Sequence, residues 1–366
     1  MKTGIALENL TKEIKRQQAA KLDFIVPNNK VTFTNMGGRF EALIDMGDDT
    51  THRFGLTAHA HNQLASYIGI NKNYYQKMLQ YESGLLAISL NQWFQRQSPE
   101  NGEKIALPFG DSNRMVRTLD GNIRAFLSDS YLRIDNYDVM TALWPVFQEF
   151  PELQFESVNV TENNFYLKVV SPKKTFEVKE GDIVQAGVVI TNSETGTGSF
   201  KIQPMTFRLW CLNGCTHAIM GDAIKRTHRG SIQLQGVQQF RAYGKDQYSL
   251  LETEMIENIR NSVRNVLSGM WMEHVAEKMQ HATTVKIADP EKAVQILTNR
   301  KLVSEAEGEL IMRNYLKHAY YNGETVYGLF NAVTRSSQDV DNYTRASELE
   351  ALGDSVLDMY ATFAKV

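Results

Sequence analysis

Four consecutive runs of alternating β-branched or aromatic residues, between positions 153 and 213, constrain the fold of this chain most strongly. The runs are LQFESVNVT, NNFYLKVVSP, DIVQAGVVITNS and GSFKIQPMTFRLWCLN. Alternation with a period of two residues is typical of β-strands, and short connections favour antiparallel neighbours. The segment therefore predicts an antiparallel meander.

From about residue 249 a helical spacing replaces this alternation. Asp289 followed by Pro290, and Ser304 with Glu307, have the residue types that cap helix starts. Apolar residues also recur three or four positions apart, namely Leu251, Met255, Ile259, Val263, Val266 and Met270. We therefore predict an α+β fold, with an antiparallel sheet body over residues 1–245 and an all-helical region over residues 246–366.

Local signals also mark the first 150 residues. Gly37 and Gly38 lie between two short strand-like runs and predict a hairpin. Helical patterns follow at 56–70, 71–82 and 84–97, and Thr57 or Asn62 is the expected cap of the first. Three strand-like runs at 104–134 and a helix at 136–150 complete this part.

Composition limits the functional classes. The chain has 366 residues and a formal net charge of −3, so it is not a globally basic nucleic-acid binder. No window approaches eighteen consecutive apolar residues, and the N-terminal residues lack the apolar stretch of a secretion signal. Two cysteines suggest a reducing compartment. We expect a soluble, cytoplasmic protein without a membrane partner.

Common catalytic and nucleotide-binding motifs are absent from the sequence. It contains no G-x-x-x-x-G-K-[ST] loop, no G-x-S-x-G and no H-E-x-x-H. The glycine-rich segment 196–199 lies between two strand-like runs, so we interpret it as a hairpin turn. We expect no cofactor, and an enzymatic role rests on weaker candidates: the polar cluster at 128–131, or Cys211 with His217 or His228.

Metal binding has two candidate sets. Cys211, Cys215, His217 and His228 have the residue types that bind zinc, but their C-x3-C spacing differs from the usual C-x2-C. The second set shares one helix face and comprises His274, Glu277 and His281. His59 and His61 lie two positions apart in a predicted helix and therefore point in different directions. We predict no metal site.

Basic residues interleaved with aromatic ones give the most specific functional signal. On a sheet, cations can neutralise phosphates while aromatic rings stack on unpaired bases. The candidate nucleic-acid-binding residues are Arg114, Arg117, Arg124, Phe126, Tyr131, Arg133, Arg208, Lys225, Arg226 and Arg229. Phe240 is a further stacking candidate. The alternative is that these charges are ordinary solvated strand faces.

Several segments together resemble one family. They are LTAHAHNQLASYIGINKNYYQKML at 56–79, IRAFLSDSYLRIDNYDVM at 123–140, GVVITNSETGTGSFKIQPMTFRLWCLNG at 187–214 and VYGLFNAVTRSSQDVDNYTRASELEALG at 326–353. In this order they are similar to the phage- and plasmid-encoded DUF932 family, a domain of unknown function. The resemblance implies a mobile-element protein made in a bacterial cell, associated with recombination and replication. It implies no catalytic residues.

These observations lead to three hypotheses. The first is an accessory protein of phage DNA metabolism that binds single-stranded DNA as a homo-oligomer and anneals complementary strands. A sheet followed by a long helix and bearing a basic face is similar in outline to Rad52-like annealing proteins, an analogy of fold alone. The alternatives are a non-enzymatic protein-binding factor, such as a host-defence inhibitor or assembly component, and an enzyme with an unrecognised site.

Overall fold

The computed structural model describes residues 1–45, 50–96, 110–209, 212–217, 224–226, 241–243 and 253–366. Within these residues the chain forms two β-sheets with helices packed on their faces, which confirms the predicted α+β class. The elements of the first part are α1 (Leu7–Ala20), β1 (Asp23–Pro27), β2 (Val31–Met36), β3 (Arg39–Asp45), β4 (Thr51–Leu56), α2 (Ala58–Tyr67), α3 (Lys72–Tyr81), α4 (Ser83–Phe94), β5 (Asn113–Leu119), β6 (Asn122–Ser128) and α5 (Asn136–Glu149).

The remaining strands and helices follow in the same order along the chain. The strands are β7 (Gln154–Val160), β8 (Phe165–Glu177), β9 (Ile183–Asn192), β10 (Phe200–Arg208), β11 (Asn213–Thr216), β12 (Ile224–Arg226) and β13 (Arg241–Tyr243). The helices are α6 (Thr253–Ser268), α7 (Met272–Thr284), α8 (Pro290–Asn299), α9 (Glu305–Asn322), α10 (Val326–Ser336), α11 (Tyr343–Asp358) and α12 (Tyr360–Phe363).

The first sheet has the strand order β13-β1-β5-β6-β4-β3-β2. Its described pairs are antiparallel except for β4 and β6, which run parallel. Helices α2, α3 and α4 cover one face and share a hydrophobic core with it. Gly37 and Gly38 form the two-residue turn between β2 and β3, both with positive φ, as the sequence predicts for a tight hairpin.

Strand β2 lies at the edge of the first sheet, and α4 covers part of that edge. The backbone N–H of Phe33 donates to Asn91 Oδ1 at 2.7 Å, and Asn91 Nδ2 donates to the Phe33 carbonyl at 2.9 Å. The side-chain amide of Asn91 therefore makes the same pair of hydrogen bonds that a neighbouring strand would make.

The second sheet confirms the predicted antiparallel meander. Strands β7 to β11 pair in chain order, and β12 pairs with the remaining length of β10. Alternate residues of β8 face opposite sides of the sheet. Phe165 and Leu167 contribute to a core with α1, α5 and α6, whereas Tyr166 and Lys168 contact α11.

Helices beyond residue 253 cover both faces of the second sheet. On one face, α6 buries Met255, Ile259 and Val263, but Met270 is 74% exposed because α6 ends at Ser268. A second core joins α7 to α11 with residues of β9 and β11, and α11 also contacts Tyr166 and Lys168 on the face opposite α6. The predicted domain boundary near 245 lies outside the described residues, and these shared cores join the two predicted regions.

Local signals located several helix starts correctly. Thr57 caps α2 by accepting a hydrogen bond from the backbone of Ala60, and Asp289 caps α8 directly before Pro290. Ser304 and Glu307 form the predicted capping box at the start of α9. None of the helices in the described ranges is long and apolar enough to span a lipid bilayer.

Candidate functional site

A buried cluster of charged side chains connects the first sheet to α5 and to the loop between β9 and β10. It contains four cations and three carboxylates, all less than 7% exposed: Lys21, Asp23, Arg117, Arg124, Arg133, Asp135 and Glu194. We refer to it as the charge cluster. Buried charges require partners of opposite sign, because each one has lost its hydration.

Arginine–carboxylate pairs supply those partners. The guanidinium of Arg117 donates to Asp23 at 2.9 Å and also contacts Asp135. Arg124 pairs with Glu194. Despite burial, the neighbouring cations hold the pKa of Glu194 at about 2, so this carboxylate is ionised at neutral pH.

The sequence predicts that Arg117, Arg124 and Arg133 lie on an exposed basic face and neutralise phosphates. The structure corrects the predicted exposure, because carboxylates from other elements enclose all three guanidinium groups. Arg133 lies 3.5 Å from Asp23 and 3.4 Å from Asp135. In this arrangement none of the three can reach a phosphate.

The charge cluster and three neighbouring side chains hold the β9–β10 loop, which we define as residues 193–199. Three successive carbonyl groups of this loop accept hydrogen bonds. Tyr131 Oη donates to the carbonyl of Ser193 at 2.9 Å, and Arg117 Nη1 donates to that of Glu194 at 2.9 Å. His59 and Gln63 of α2 both contact the carbonyl of Thr195, at 3.0 and 2.8 Å. The loop connects antiparallel strands, so its interpretation as a hairpin turn is confirmed.

Phe126 and Tyr131 are buried as well. The sequence predicts that they stack on bases, but Phe126 is 3% exposed and packs against Tyr67 and Phe94. Tyr131 is 9% exposed and its hydroxyl holds the β9–β10 loop. Neither ring presents a face to a base in this arrangement.

Arg208 has a similar internal role at the other end of β10. Its Nε and Nη2 atoms donate to the two carboxylate oxygens of Asp182, at 2.6 and 2.7 Å. Nη1 donates to Asn322 at 2.9 Å, and Tyr327 donates to Asp182. This buried group connects the second sheet to α9 and α10, so Arg208 does not contribute to an exposed basic face.

Arg114 differs from the other predicted arginines. It lies in an open groove of about 450 Å³ between α2, α3 and the strands β5 and β6. Its guanidinium lies 4.1 Å from the ring centre of Tyr67 and 5.3 Å from that of Phe126. We call this cleft the Arg114 groove; His59, Gln63, Tyr67, Lys72 and Ser128 also line it.

No carboxylate among the described residues forms an ion pair with Arg114. Its hydrogen bond to the carbonyl of Phe126 is long, at 3.5 Å, and its Nε atom is buried without a hydrogen-bond partner. Burial lowers the pKa of Arg114, against smaller opposite effects of Tyr67 and Asp129. The described lining residues of the groove include no aspartate or glutamate.

His59 adds a defined hydrogen-bonding group to the same groove. A carbonyl oxygen can only accept, so the contact with Thr195 places the ring proton of His59 on Nε2. In the neutral ring, Nδ1 is then an acceptor.

His61, two positions away, points instead into the core and contacts Tyr75 Oη at 2.9 Å. The two histidines therefore face different directions, as predicted. Burial lowers the pKa of His61 to about 4.

Several predicted residues cannot be placed in a site. Lys225 and Arg226 belong to β12, which pairs with β10. Arg229, His228, Cys211 and Phe240 lie outside the described residues. The polar cluster at 128–131 forms a local turn in which Ser128 Oγ contacts Ser130 Oγ at 2.8 Å.

His217 forms a buried hydrogen-bond chain with Thr206 and Asp354. Thr206 Oγ1 lies 2.8 Å from His217 Nε2, and His217 Nδ1 lies 2.9 Å from the carboxylate of Asp354. Lys278 also donates to Asp354 at 2.7 Å. The order of hydroxyl, imidazole and carboxylate is that of a nucleophile activated by a base. However, Thr206 is 2% exposed, so in this arrangement the chain connects α11 to the second sheet.

The described residues include no group of three or more His, Cys, Asp or Glu side chains arranged to hold a metal ion. His274, Glu277 and His281 are exposed on α7. Cys215 is a free, buried thiol, and burial raises its pKa well above the usual range.

Comparison with known proteins gives one match. The model of the family described as a domain of unknown function (DUF932) matches residues 125–355, which is more than half of the chain. The chain belongs to the DUF932 family. No curated protein matches it. No solved structure matches either, so the Rad52-like analogy gains no support.

The DUF932 segments that suggested the family meet at two places in the fold. The segment containing Glu194 and Thr195 adjoins the charge cluster and the Arg114 groove. At the other place, Asn213 Nδ2 donates to Thr334 Oγ1 at 2.5 Å and so connects β11 to α10. Most of these polar residues are buried and support the fold of this DUF932 protein.

Sequence reasoning missed the residues that complete the site. Lys21, Asp23 and Asp135 carry no local signal, because their partners are distant in sequence. His59 and Gln63 did have one, since a spacing of four positions places both on one side of a helix. That spacing predicts a shared contact, which the structure provides at Thr195.

Proposed function

We propose that this DUF932 protein binds single-stranded nucleic acid through a backbone phosphate in the Arg114 groove, as an accessory of DNA metabolism in a bacterial cytoplasm. One observation carries the proposal: Arg114 is partly buried in an open groove and has no carboxylate partner among the described residues. The other buried arginines discussed above are paired with carboxylates.

An unpaired, partly buried guanidinium favours an anionic ligand. It has lost hydration without gaining a counter-charge, and a phosphate would supply both charge and acceptor oxygens. Lys72 lines the same groove, on the first residue of α3. The ring of Tyr67 lies against the guanidinium of Arg114, and this cation–π contact stabilises the cation at the groove.

Because Arg117, Arg124, Arg133 and Arg208 are buried, fewer cations are available to bind the phosphates of a nucleic acid. Arg114 and Lys72 together can neutralise about two phosphates. For a single strand this corresponds to a slope of log K against log salt of roughly −1.4. Such a weak site would act on long DNA, including strand annealing, only when several copies align along it. We therefore retain the expectation of a homo-oligomer, which light scattering measures directly.

Fluorescence anisotropy of a labelled oligothymidylate, at 50 and 200 mM salt, tests the proposal. We expect Arg114→Gln to weaken binding by roughly tenfold or more, as for loss of a hydrogen bond to a charged group. The matched control is Arg313→Gln, which removes an exposed arginine on α9 and should leave affinity unchanged.

Two results would overturn the proposal. One is a wild-type protein that fails to bind at 50 mM salt. The other is an Arg114→Gln variant that binds as tightly as the wild type and with the same salt slope. Recovery of one stoichiometric host protein in a nuclease-treated pull-down would then favour the protein-binding alternative.

A further inference from the structure

Helix α3, whose first residue lines the Arg114 groove, presents two unusually exposed aromatic residues. Tyr74 is 58% exposed and Tyr81 is 72% exposed, whereas Tyr75 on the same helix is fully buried. A spacing of seven residues places Tyr74 and Tyr81 on the same side of the helix, about 10 Å apart along its axis. Their rings form an open aromatic surface.

The charge of α3 complements a polyanion. Between Lys72 and Tyr81 the sequence contains two lysines, Lys72 and Lys77, and no acidic residue; the first acid is Glu82, after the helix ends. Lys77 lies three positions after Tyr74 and four before Tyr81, so it shares their side of the helix. Lys77 is exposed in the structure.

The start of helix α3 borders the Arg114 groove. Lys72 lines the groove, and Gln76 contacts Asn62 of α2 at 3.4 Å across the same border. Around the helix, the exposed positions run from Lys72 and Gln76 through Lys77 to Tyr81 and Tyr74. A chain that leaves the groove over α3 would meet a cation before it meets the rings.

We propose that Tyr74 and Tyr81 stack on the bases of a single-stranded nucleic acid whose phosphate occupies the Arg114 groove; this inference rests on the function proposed above. Neither benzene-type ring that lines the groove among the described residues offers a free face, because Arg114 covers Tyr67 and Phe126 is buried. The groove alone would bind a backbone phosphate, and both double-stranded and single-stranded nucleic acids have one. The exposed rings supply the contact that only unpaired bases can make.

Paired substitutions separate stacking from simple apolar contact. Tyr74→Leu with Tyr81→Leu keeps apolar surface and removes the π-faces, whereas Tyr74→Phe with Tyr81→Phe keeps the π-faces. We expect the leucine pair to lose roughly 20-fold or more in affinity for a twelve-residue oligothymidylate, and the phenylalanine pair to stay within about twofold of the wild type. Inorganic polyphosphate is a charge-only probe that competes with the oligothymidylate. Its inhibition constant should be the same for the wild type and the leucine pair.

The outcomes distinguish this inference from the proposed function. If the leucine pair binds DNA like the wild type while Arg114→Gln is weakened, the groove remains and the stacking surface is refuted. A leucine pair with unchanged DNA affinity but a smaller mass in light scattering would likewise refute stacking and assign the surface to contact between copies. If the wild type binds no DNA, both proposals fail. Photo-crosslinking of 5-iodouracil to the peptide at 73–77 would support stacking on Tyr74.

Discussion

At the scale of single residues, Arg114 and Arg117 show why basic residues on a strand cannot be interpreted from sequence alone. They lie three positions apart on β5, so they point to opposite faces of the first sheet. Arg117 meets Asp23 of β1 and Asp135 before α5, while Arg114 faces an open groove. Alternation predicts the opposite directions, but the carboxylates that enclose Arg117 come from distant segments that carry no local signal.

The pH dependence of stability should reveal Asp138, at the edge of the charge cluster. Burial, and then the charge of Asp135, raises the pKa of Asp138 to about 7. An unfolded aspartate titrates near 4, so between about pH 4 and 7 the native state binds more protons than the unfolded state. The contribution of Asp138 to stability is therefore present below pH 4 and lost as pH rises through 7.

Urea unfolding of Asp138→Asn at pH 5 and pH 8 measures this effect. Asparagine cannot ionise, so the variant does not lose stability as pH rises through 7. We therefore expect the stability of the variant relative to the wild type to be greater at pH 8 than at pH 5. The same difference at both pH values would show that Asp138 titrates normally in the folded protein.

At the scale of elements, the starts of helices could be predicted from the sequence more accurately than the pairing of strands. Thr57, Asp289 and Ser304 act on their own first turn, so their chemistry is visible within four residues. The meander was predictable for the same reason, since its strands pair with chain neighbours. The pairing of β1 with β13, and the parallel pairing of β4 with β6, join distant segments and left no local pattern.

Close packing of α11 on the second sheet gives a prediction at the same scale. A Cβ atom added at Gly353 would lie 2.4 Å from Thr334 Cγ2 and 3.1 Å from Cys215 Sγ. Gly353→Ala should therefore displace α11 and lower the free energy of unfolding by about 1–3 kcal/mol. Thermal unfolding measures the change.

The control for this prediction is Gly84→Ala in α4, where an added Cβ meets no atom within 4 Å. Alanine is the better helix former, so this variant should be neutral or gain up to about 1 kcal/mol. Equal effects of the two substitutions would show that α11 has room to accommodate a side chain at 353.

At the scale of the whole molecule, the change from strands to helices in the sequence does not separate two hydrophobic cores. Val184 and Ala186 of the second sheet share a core with Leu329 and Phe330 of α10. Helix α6 shares another with α5 and with Val188 and Ile190 of the same sheet. A change in periodicity shows where strands give way to helices in the sequence. It does not show a domain boundary, because helices that follow a sheet can pack on that sheet and share its core.

We therefore expect one cooperative unfolding transition. Circular dichroism at 222 nm and tryptophan fluorescence should give the same midpoint in urea. The tryptophans report from different parts of the described fold, because Trp93 lies in α4, Trp144 in α5 and Trp271 directly before α7. A fragment of residues 246–366 should lack a cooperative transition, because its apolar faces lose the sheet. Two separated transitions, or a cooperatively folded fragment, would support the boundary near 245.

The amide of Asn91 has a consequence for how copies of this protein can associate. An open sheet edge is a template onto which another chain can add a strand, which is a common route to aggregates and to unwanted pairing. At Phe33 the backbone donor and acceptor are both already occupied by Asn91. An incoming strand would have to displace Asn91 of α4 to pair there, so α4 blocks the addition of a strand at this point of the edge.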